Sequence, residues 1–118
     1  MQGVKLSGSE CKSRMMPVQD ALDVLHGKWK LLILMSLSFG PRRFKEIQRE
    51  VEGITAKMLS KELKDLEINE LIKRTVYDTV SVAVEYATTP YGHSLGRVID
   101  ELHAWGEQHR KRVMRKVK

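Results

Sequence analysis

Residues 42–86 read RRFKEIQREVEGITAKMLSKELKDLEINELIKRTVYDTVSVAVEY. Two short amphipathic segments open this stretch, and residues 51–54, which include Gly53, separate them as a tight turn. Two strand-like runs follow, over residues 71–77 and 82–87, with the polar residues 78–81 between them. The order helix, turn, helix, hairpin predicts a mainly α fold with a small β-hairpin, which is the plan of a winged helix-turn-helix.

The second helix of this pair, predicted over about residues 55–68, has two chemically different faces. Thr55 is a good N-cap, and its flanks Ile54 and Leu59 stand at the positions of a hydrophobic staple. The apolar face continues from Leu59 through Leu63 and Leu66. At about 100° per residue, the opposite face holds Lys57, Lys61 and Lys64, with Ser60 on its edge.

The rest of the chain divides into an arm and further helices. Residues 1–14 are polar and aperiodic, which predicts a mobile N-terminal arm ahead of one domain over residues 15–118. A helix is predicted to start at Pro17, and a second one, apolar on nearly every side and therefore covered by its neighbours, from about Lys28. The helix-turn-helix is predicted over about 43–69 and the wing over about 71–88, and Thr89-Pro90 begins a continuous closing helix to about residue 114.

Composition and charge set broad limits on function. The chain has 118 residues, 42% of them hydrophobic, with a formal net charge of +6. A basic balance favours anionic partners (nucleic acid, acidic membrane surface or acidic protein) without choosing among them. No apolar stretch approaches the roughly 20 residues that span a bilayer, and the N-terminus lacks the apolar middle of a signal peptide. These features predict a cytoplasmic protein with no membrane partner.

No arrangement typical of an enzyme or a cofactor site is present. We find no paired acid and base, no nucleophile with a partner and no phosphate-cradling glycine loop. The four histidines lack zinc-like spacing, so the sequence predicts no metal and no cofactor. Cys11 is the single cysteine, and it is either an exposed bystander or a site of regulatory oxidation, for which Lys12 and Arg14 supply nearby positive charge.

Several short sequence motifs occur in the same order as in a known protein family. Gly27-Lys28-Trp29-Lys30, Gly53-Ile54-Thr55, Lys57-Met58-Leu59 and Val84-Glu85-Tyr86 are the most specific of them. The chain resembles the HxlR-type family of bacterial winged-helix transcription regulators, related in plan to the MarR group. The resemblance covers about residues 17–109, nearly the whole predicted domain.

The resemblance implies a homodimer assembled through the first and last helices, with each second HTH helix in the major groove of one half-site. It also implies that Lys57, Met58, Ser60 and Lys61 match the DNA-facing stretch of that helix. Some members sense electrophiles or oxidants through a cysteine immediately before the Pro-Val word, where this chain has Met16. A Pro-Pro-basic sequence commonly precedes Val-Glu-Tyr in the wing, where this chain has Ser81-Val82-Ala83.

Two sets of candidate site residues follow from the helical faces and the resemblance. The predicted DNA-binding residues are Thr55, Lys57, Met58, Ser60, Lys61, Lys64, Arg43, Lys45 and Arg74. For the lysines the alternative is an ordinary solvated helix face, and for the two residues near the start of the first HTH helix and for Arg74 it is surface solubility. The predicted dimer-interface residues are Val18, Leu22, Leu25, Leu95, Val98, Leu102 and Trp105.

The leading hypothesis is a DNA-binding transcription regulator that reads a pseudo-palindromic operator as a homodimer. So long a final helix cannot bury its apolar stripe on a small body, and a second copy would cover it and set the recognition helices roughly 34 Å apart. The rival is a protein-interaction module that uses the winged helix as a scaffold for an acidic partner. The sequence leaves open whether a small-molecule effector is bound.

Overall fold

A computed structural model describes residues 8–78 and 80–117. In chain order its elements are α1 (Gly8–Val24), α2 (Lys30–Leu37), α3 (Phe44–Glu50), α4 (Ala56–Ile68), β1 (Ile72–Tyr77), β2 (Ala83–Thr88), α5 (Pro90–His93) and α6 (Gly96–Val117). The predicted fold class is confirmed: a mainly helical chain carries a helix-turn-helix, α3 and α4, followed by the β1–β2 hairpin.

The hairpin is antiparallel, and its register runs from Ile72 opposite Thr88 to Tyr77 opposite Ala83. Arg42 forms an isolated β-bridge with Tyr86: its N–H donates to the Tyr86 carbonyl at 2.9 Å, and its carbonyl accepts from the Tyr86 N–H at 2.8 Å. The residues that lead into α3 are therefore joined to the second strand of the wing. Helix-turn-helix and wing form one body.

One hydrophobic core lies between α2, the helix-turn-helix and the base of the hairpin. All of its members are less than a tenth exposed: Ile33, Leu34, Leu37, Ile47, Val51, Ile54, Leu59, Leu63, Leu66, Leu71 and Ile72. Each of these elements contributes one apolar face, and the faces meet at the centre. The core thereby fixes which side of α4 points outward.

The N-terminal prediction needs correction. Of the predicted mobile arm, residues 1–7 lie outside the described residues, whereas residues 8–14 form the first turns of α1. Pro17 lies inside this helix rather than at its start. Residues 8–14 read GSECKSR and have no apolar periodicity, so hydrophobic spacing gives no signal for this part of the helix. A proline inside a helix removes the hydrogen bond to the carbonyl four residues earlier, here that of Ser13, and both Ser13 and Pro17 are exposed.

The second helix also differs from its prediction. It begins at Lys30 rather than Lys28, and it is not covered all round, because Leu32 is 41% and Met35 38% exposed. Its buried side carries Lys30 and Ser36 beside the apolar residues. The predominantly apolar sequence of α2 therefore did not show that the buried side of this helix includes two polar residues.

The closing helix is broken, against the prediction of one continuous helix over residues 90–114. Thr89 does cap α5, accepting from the Gly92 N–H at 3.0 Å, and its own hydroxyl donates to the Glu70 carbonyl at 2.6 Å. Gly92 seats directly on the backbone of Leu71, where a Cβ would collide with the carbonyl oxygen. This contact holds α5 against Leu71, between α4 and β1, and α6 starts at Gly96 after the two turn residues Ser94 and Leu95.

Candidate nucleic-acid interface

The turn between α3 and α4 sets the position of α4. Gly53 adopts φ +88°, a left-handed conformation that glycine accepts without strain. Ile54 follows it into the core at 5% exposure, which anchors the chain just before the helix. Thr55 then caps α4, its hydroxyl accepting from the Met58 N–H at 3.1 Å. The chain therefore enters α4 in one defined geometry.

The two faces of α4 have opposite environments. Its inner face holds Leu59, Leu63 and Leu66, which are at most 2% exposed. The outer face carries the residues predicted from the sequence to bind DNA, and all of them are exposed: Thr55, Lys57, Met58, Ser60, Lys61 and Lys64. Because the inner face is locked in the core, the outer lysines cannot turn inward without unfolding the domain.

The positive charge of this outer face is available to a ligand. Within the described ranges, neither Lys57 nor Lys64 has a carboxylate within 4.0 Å, and Lys61, 65% exposed, lies 3.9 Å from the carboxylate of Glu62. The first turn of α4 contains no acidic residue. Unpaired N–H groups at a helix start also favour anions, so the lysines and the helix end add their fields at the same place.

Arg43 and Lys45 lie at the start of α3, where both are exposed. Arg43 is the N-cap residue, and its backbone N–H donates to the Glu46 carboxylate at 2.8 Å. This hydrogen bond involves the backbone of Arg43 and not its guanidinium group. The adjacent Arg42 is used differently, because its guanidinium lies 3.1 Å from Glu50.

Arg74 lies on β1, directly across from Tyr86, and Arg42 flanks Tyr86 from the other side. Cross-strand neighbours share one face of a sheet, so Arg74, Tyr86 and Arg42 form a row. Arg74 is exposed, whereas Arg42 is half-buried in its ion pair. Among the described residues, no carboxylate lies within 4.0 Å of the Arg74 guanidinium, and Arg74 lies on a different element from the α4 lysines.

The tip of the wing is apolar and acidic rather than basic. Residues 78–82 contain Asp78 and no Lys or Arg, and Val80 and Val82 are exposed. Near the tip the Tyr77 hydroxyl donates to Glu85 at 3.1 Å. This hydrogen bond and the carboxylate charge raise the pKa of Tyr77 above its ordinary value of 10.0. In the sequence of the wing, residues 71–88, the basic residues are Lys73 and Arg74, both on β1.

The residues predicted for the dimer interface fall into two groups. Five are wide open to solvent in the single chain: Val18, Leu22, Val98, Leu102 and Trp105, at 57, 63, 44, 50 and 68% exposure. Leu25 and Leu95 are half-buried and pack against the core. These two also line an apolar cavity of about 300 Å³ between α1 and the α5–α6 junction, beside Tyr91 and Asp20.

Sequence reasoning missed a buried ion cluster behind α4. The ammonium of Lys30 lies 3.2 and 3.1 Å from the two carboxylate oxygens of Glu62 and 3.4 Å from Asp65. Lys30 is 1% and Glu62 4% exposed. The signal was present: Glu62 shares the face of Leu59 and Leu66, and a charge on an apolar face needs a partner. That partner stands 32 residues earlier, which no local pattern reveals.

Three further features concern the described residues: the single cysteine, possible metal-binding clusters and membrane-spanning helices. Cys11 is half-buried on α1 and forms no disulfide. No cluster of three or more His, Cys, Asp or Glu side chains there is arranged to hold a metal ion. None of the helices in that part of the chain combines the length and apolar character required to cross a bilayer.

Comparison with known proteins gives a consistent result. The family model of the HxlR-like helix-turn-helix matches residues 24–114. The uncharacterized HTH-type transcriptional regulator YtcD of Bacillus subtilis is 42% identical over 104 residues, 88% of this chain and 82% of its own length. The reduced form of the redox regulator HypR superposes with a TM-score of 0.78 at 36% identity, covering 83% of this chain and 97% of that one.

The reduced form of the transcriptional regulator YodB from B. subtilis has a TM-score of 0.70 at 40% identity, covering 76% of this chain and 88% of its own. The predicted family and the predicted absence of enzymatic activity are thereby confirmed, since the relatives are transcriptional regulators. The chain belongs to the HxlR-like helix-turn-helix family of DNA-binding transcriptional regulators.

Proposed function

We propose that this protein is a cytoplasmic regulator that binds a pseudo-palindromic operator as a homodimer, with α4 of each copy in the major groove. One observation carries the proposal: α4 is buried along its apolar face and presents an exposed, basic face with two lysines unpaired by the described carboxylates. A single α-helix fits the width of that groove.

The outer face of α4 offers both kinds of contact that sequence-specific binding requires. Lys57, Lys61 and Lys64 supply charge to phosphates. The Thr55 oxygen already accepts from the Met58 N–H, but its hydroxyl hydrogen remains a donor. Ser60 adds a second short hydroxyl on this face, and Met58, 37% exposed, offers an apolar contact of the kind that recognises a thymine methyl group.

A homodimer explains the exposed stripe on α1 and α6. Val98, Leu102 and Trp105 are exposed on α6, and among the described hydrophobic residues of that helix only Ile99, in its first turn, packs against the core. A two-fold interface pairs the same patch of both copies. The twofold axis would then place the two α4 helices roughly 34 Å apart, one turn of DNA.

The deciding experiment replaces the α4 lysines and follows DNA binding by a salt-titrated gel shift. Lys57→Ala with Lys61→Ala removes two phosphate contacts, so we expect affinity to fall at least tenfold. The slope of log K against log salt should become shallower by about 1.8, at about 0.9 per contact. Circular dichroism should show an unchanged fold, because both side chains are exposed.

The matched control removes equal charge elsewhere, with Lys12→Ala and Lys111→Ala on α1 and α6. It should keep the wild-type slope to within about 0.5. If both double variants lose affinity and slope equally, general charge rather than α4 binds the DNA. A wild-type protein that retards no duplex even at low salt would instead favour the interaction-module hypothesis.

A further inference from the structure

The ion cluster behind α4, defined as Lys30, Glu62 and Asp65, is not explained by DNA contact. Lys30 is almost fully buried, and its ammonium has three donors. The structure gives it three acceptors, both oxygens of Glu62 and one of Asp65, and all of them belong to α4. Lys30, the first residue of α2, thus binds two side chains of α4, Glu62 and Asp65, which lie about one helical turn apart.

Such a cluster is a poor device for stability alone. Removing charges from water costs about as much as their attraction returns, so an apolar set of the same volume is often neutral or more stabilising. Apolar contacts are also non-directional, and a purely leucine-lined face allows small rotations of a helix about its axis. A lysine held between two carboxylates has one satisfactory arrangement.

Rotation of α4 would matter directly for the outer face. An atom about 6 Å from a helix axis moves about 2 Å when the helix turns by about 20°, while hydrogen-bond distances span only about 0.5 Å. Lys61 is adjacent to Glu62 in the chain and lies 3.9 Å from the same carboxylate that holds Lys30. The buried and exposed lysines therefore share one carboxylate, which links the cluster to the proposed DNA-facing surface.

We infer that the ion cluster is the positioning group of the recognition helix: Lys30, through Glu62 and Asp65, fixes the rotation of α4 on α2 and thereby determines operator discrimination. Lys30 is a positioning residue and touches no DNA. The inference rests on the proposed function, because it requires that the outer face of α4 reads base edges. It assigns to a residue outside the helix-turn-helix a part in DNA specificity.

The test measures discrimination rather than affinity alone. The wild-type protein selects an operator from a pool of random-sequence duplexes, and affinities for that operator and for a scrambled duplex are then compared. The main variant combines Lys30→Met with Glu62→Leu, an apolar replacement that leaves Asp65, whose side chain is 34% exposed, to solvent. We expect it to stay folded and to bind scrambled duplex as before, but to lose operator preference at least tenfold.

A merely structural role gives a different result, because a lower folded fraction weakens both affinities equally and leaves their ratio unchanged. A folded double variant with the wild-type ratio overturns the inference. Should that variant fail to fold, Glu62→Gln answers the same question, since it keeps size and an acceptor but loses the charge. We expect its ratio to fall at least threefold, and an unchanged ratio overturns the inference.

Glu67→Gln is the matched control, because Glu67 is an exposed carboxylate on the same helix. Its ratio should equal that of the wild type. If Glu67→Gln lowers the ratio as much as Glu62→Gln, the general charge of α4 is responsible and the inference fails. A wild-type protein that selects no duplex overturns the proposed function, whereas a selective wild type with an equally selective double variant overturns only the role of the cluster.

Discussion

The helices α4 and α6 are both amphipathic, yet they are in opposite situations. Along α4 the apolar residues Leu59 and Leu66 are completely buried. Along α6 the equivalent positions stay open, with Leu102 at 50% and Trp105 at 68% exposure. The first stripe is covered by its own chain, whereas most of the second stays exposed among the residues that the structure describes.

The difference between α4 and α6 shows what can be concluded from hydrophobic periodicity in a helix. Apolar residues at helical spacing indicate that one face of a helix is buried. They do not indicate whether the same chain or another molecule buries it. For α4 the cover is α2, α3 and the hairpin. Large exposed apolar patches often mark interaction sites, so the exposed stripe of α6 supports the homodimer proposed above. The predictions below test that contrast.

The largest effect should come from the covered stripe. Leu59→Ala leaves a cavity in the core, and we expect it to lower the free energy of unfolding by about 2–5 kcal/mol, measured by urea denaturation. The same change at Leu102, which is half exposed, should cost less and should matter only where protein concentration supports a dimer. Equal costs at both positions, independent of concentration, would erase the distinction between the two helices.

The open stripe should show its largest effect in association. Trp105→Ala removes a large exposed ring from α6, and truncating an aromatic anchor at an interface typically costs about 2 kcal/mol or more. We expect the dimer dissociation constant to rise about tenfold to a hundredfold in sedimentation velocity, with unchanged helicity. His103→Ala, on the same helix, should leave it nearly unchanged. A wild-type chain that sediments as a monomer at all concentrations would contradict the proposed homodimer.

A smaller effect is expected at the entrance to α4. Thr55→Ala removes the hydroxyl that accepts from the Met58 N–H, and the loss of an N-cap costs about 1 kcal/mol. We expect a corresponding drop in unfolding free energy by chemical denaturation. Ser60→Ala, exposed on the same helix, should change stability by less than about 0.5 kcal/mol. If the two variants match, the cap does not contribute.

The smallest effect belongs to the hairpin, which connects α4 with α5 and α6. Glu85 raises the pKa of Tyr77, so the neutral phenol is the form favoured by folding. The resulting stabilisation is fully present below pH 10.0, the ordinary tyrosine value, and is lost as pH rises through the higher folded pKa. Ultraviolet titration, with Tyr77→Phe to identify the signal, should show Glu85→Gln bringing this pKa down. No change on removing the carboxylate would refute the assigned cause.

Local sequence patterns were sufficient to predict the elements that are stabilised by contacts between residues close together in the chain. The cap at Thr55, the turn at Gly53 and the alternating strand around Val84 each depend on neighbours a few residues away, and the helix-turn-helix and hairpin appear where these patterns predict them. For the same reason the two faces of α4 could be assigned from spacing, because burial of Leu59 and Leu63 turns the lysine-bearing face toward solvent.

Contacts between distant residues were beyond that reasoning. Nothing near Lys30 indicates a carboxylate 32 residues later, so the helix seemed uniformly apolar. Nothing near Gly92 indicates that it must seat on Leu71, so the closing segment looked like one helix. The start of α1 was missed for another reason: residues 8–14 are helical without an apolar stripe, so hydrophobic periodicity gave no signal there.

The Thr89–Gly92 joint has a consequence for the length of DNA that a dimer spans. It seats α5, which directly precedes α6 in the chain, on the backbone of Leu71, and α6, a helix of 22 residues, is about 33 Å long. A tilt of about 5° at its base displaces the far end by about 3 Å, close to the rise of one base-pair step, about 3.4 Å. In the proposed homodimer, we therefore expect substitution of Thr89 or Gly92 to change the preferred spacer between the two operator halves.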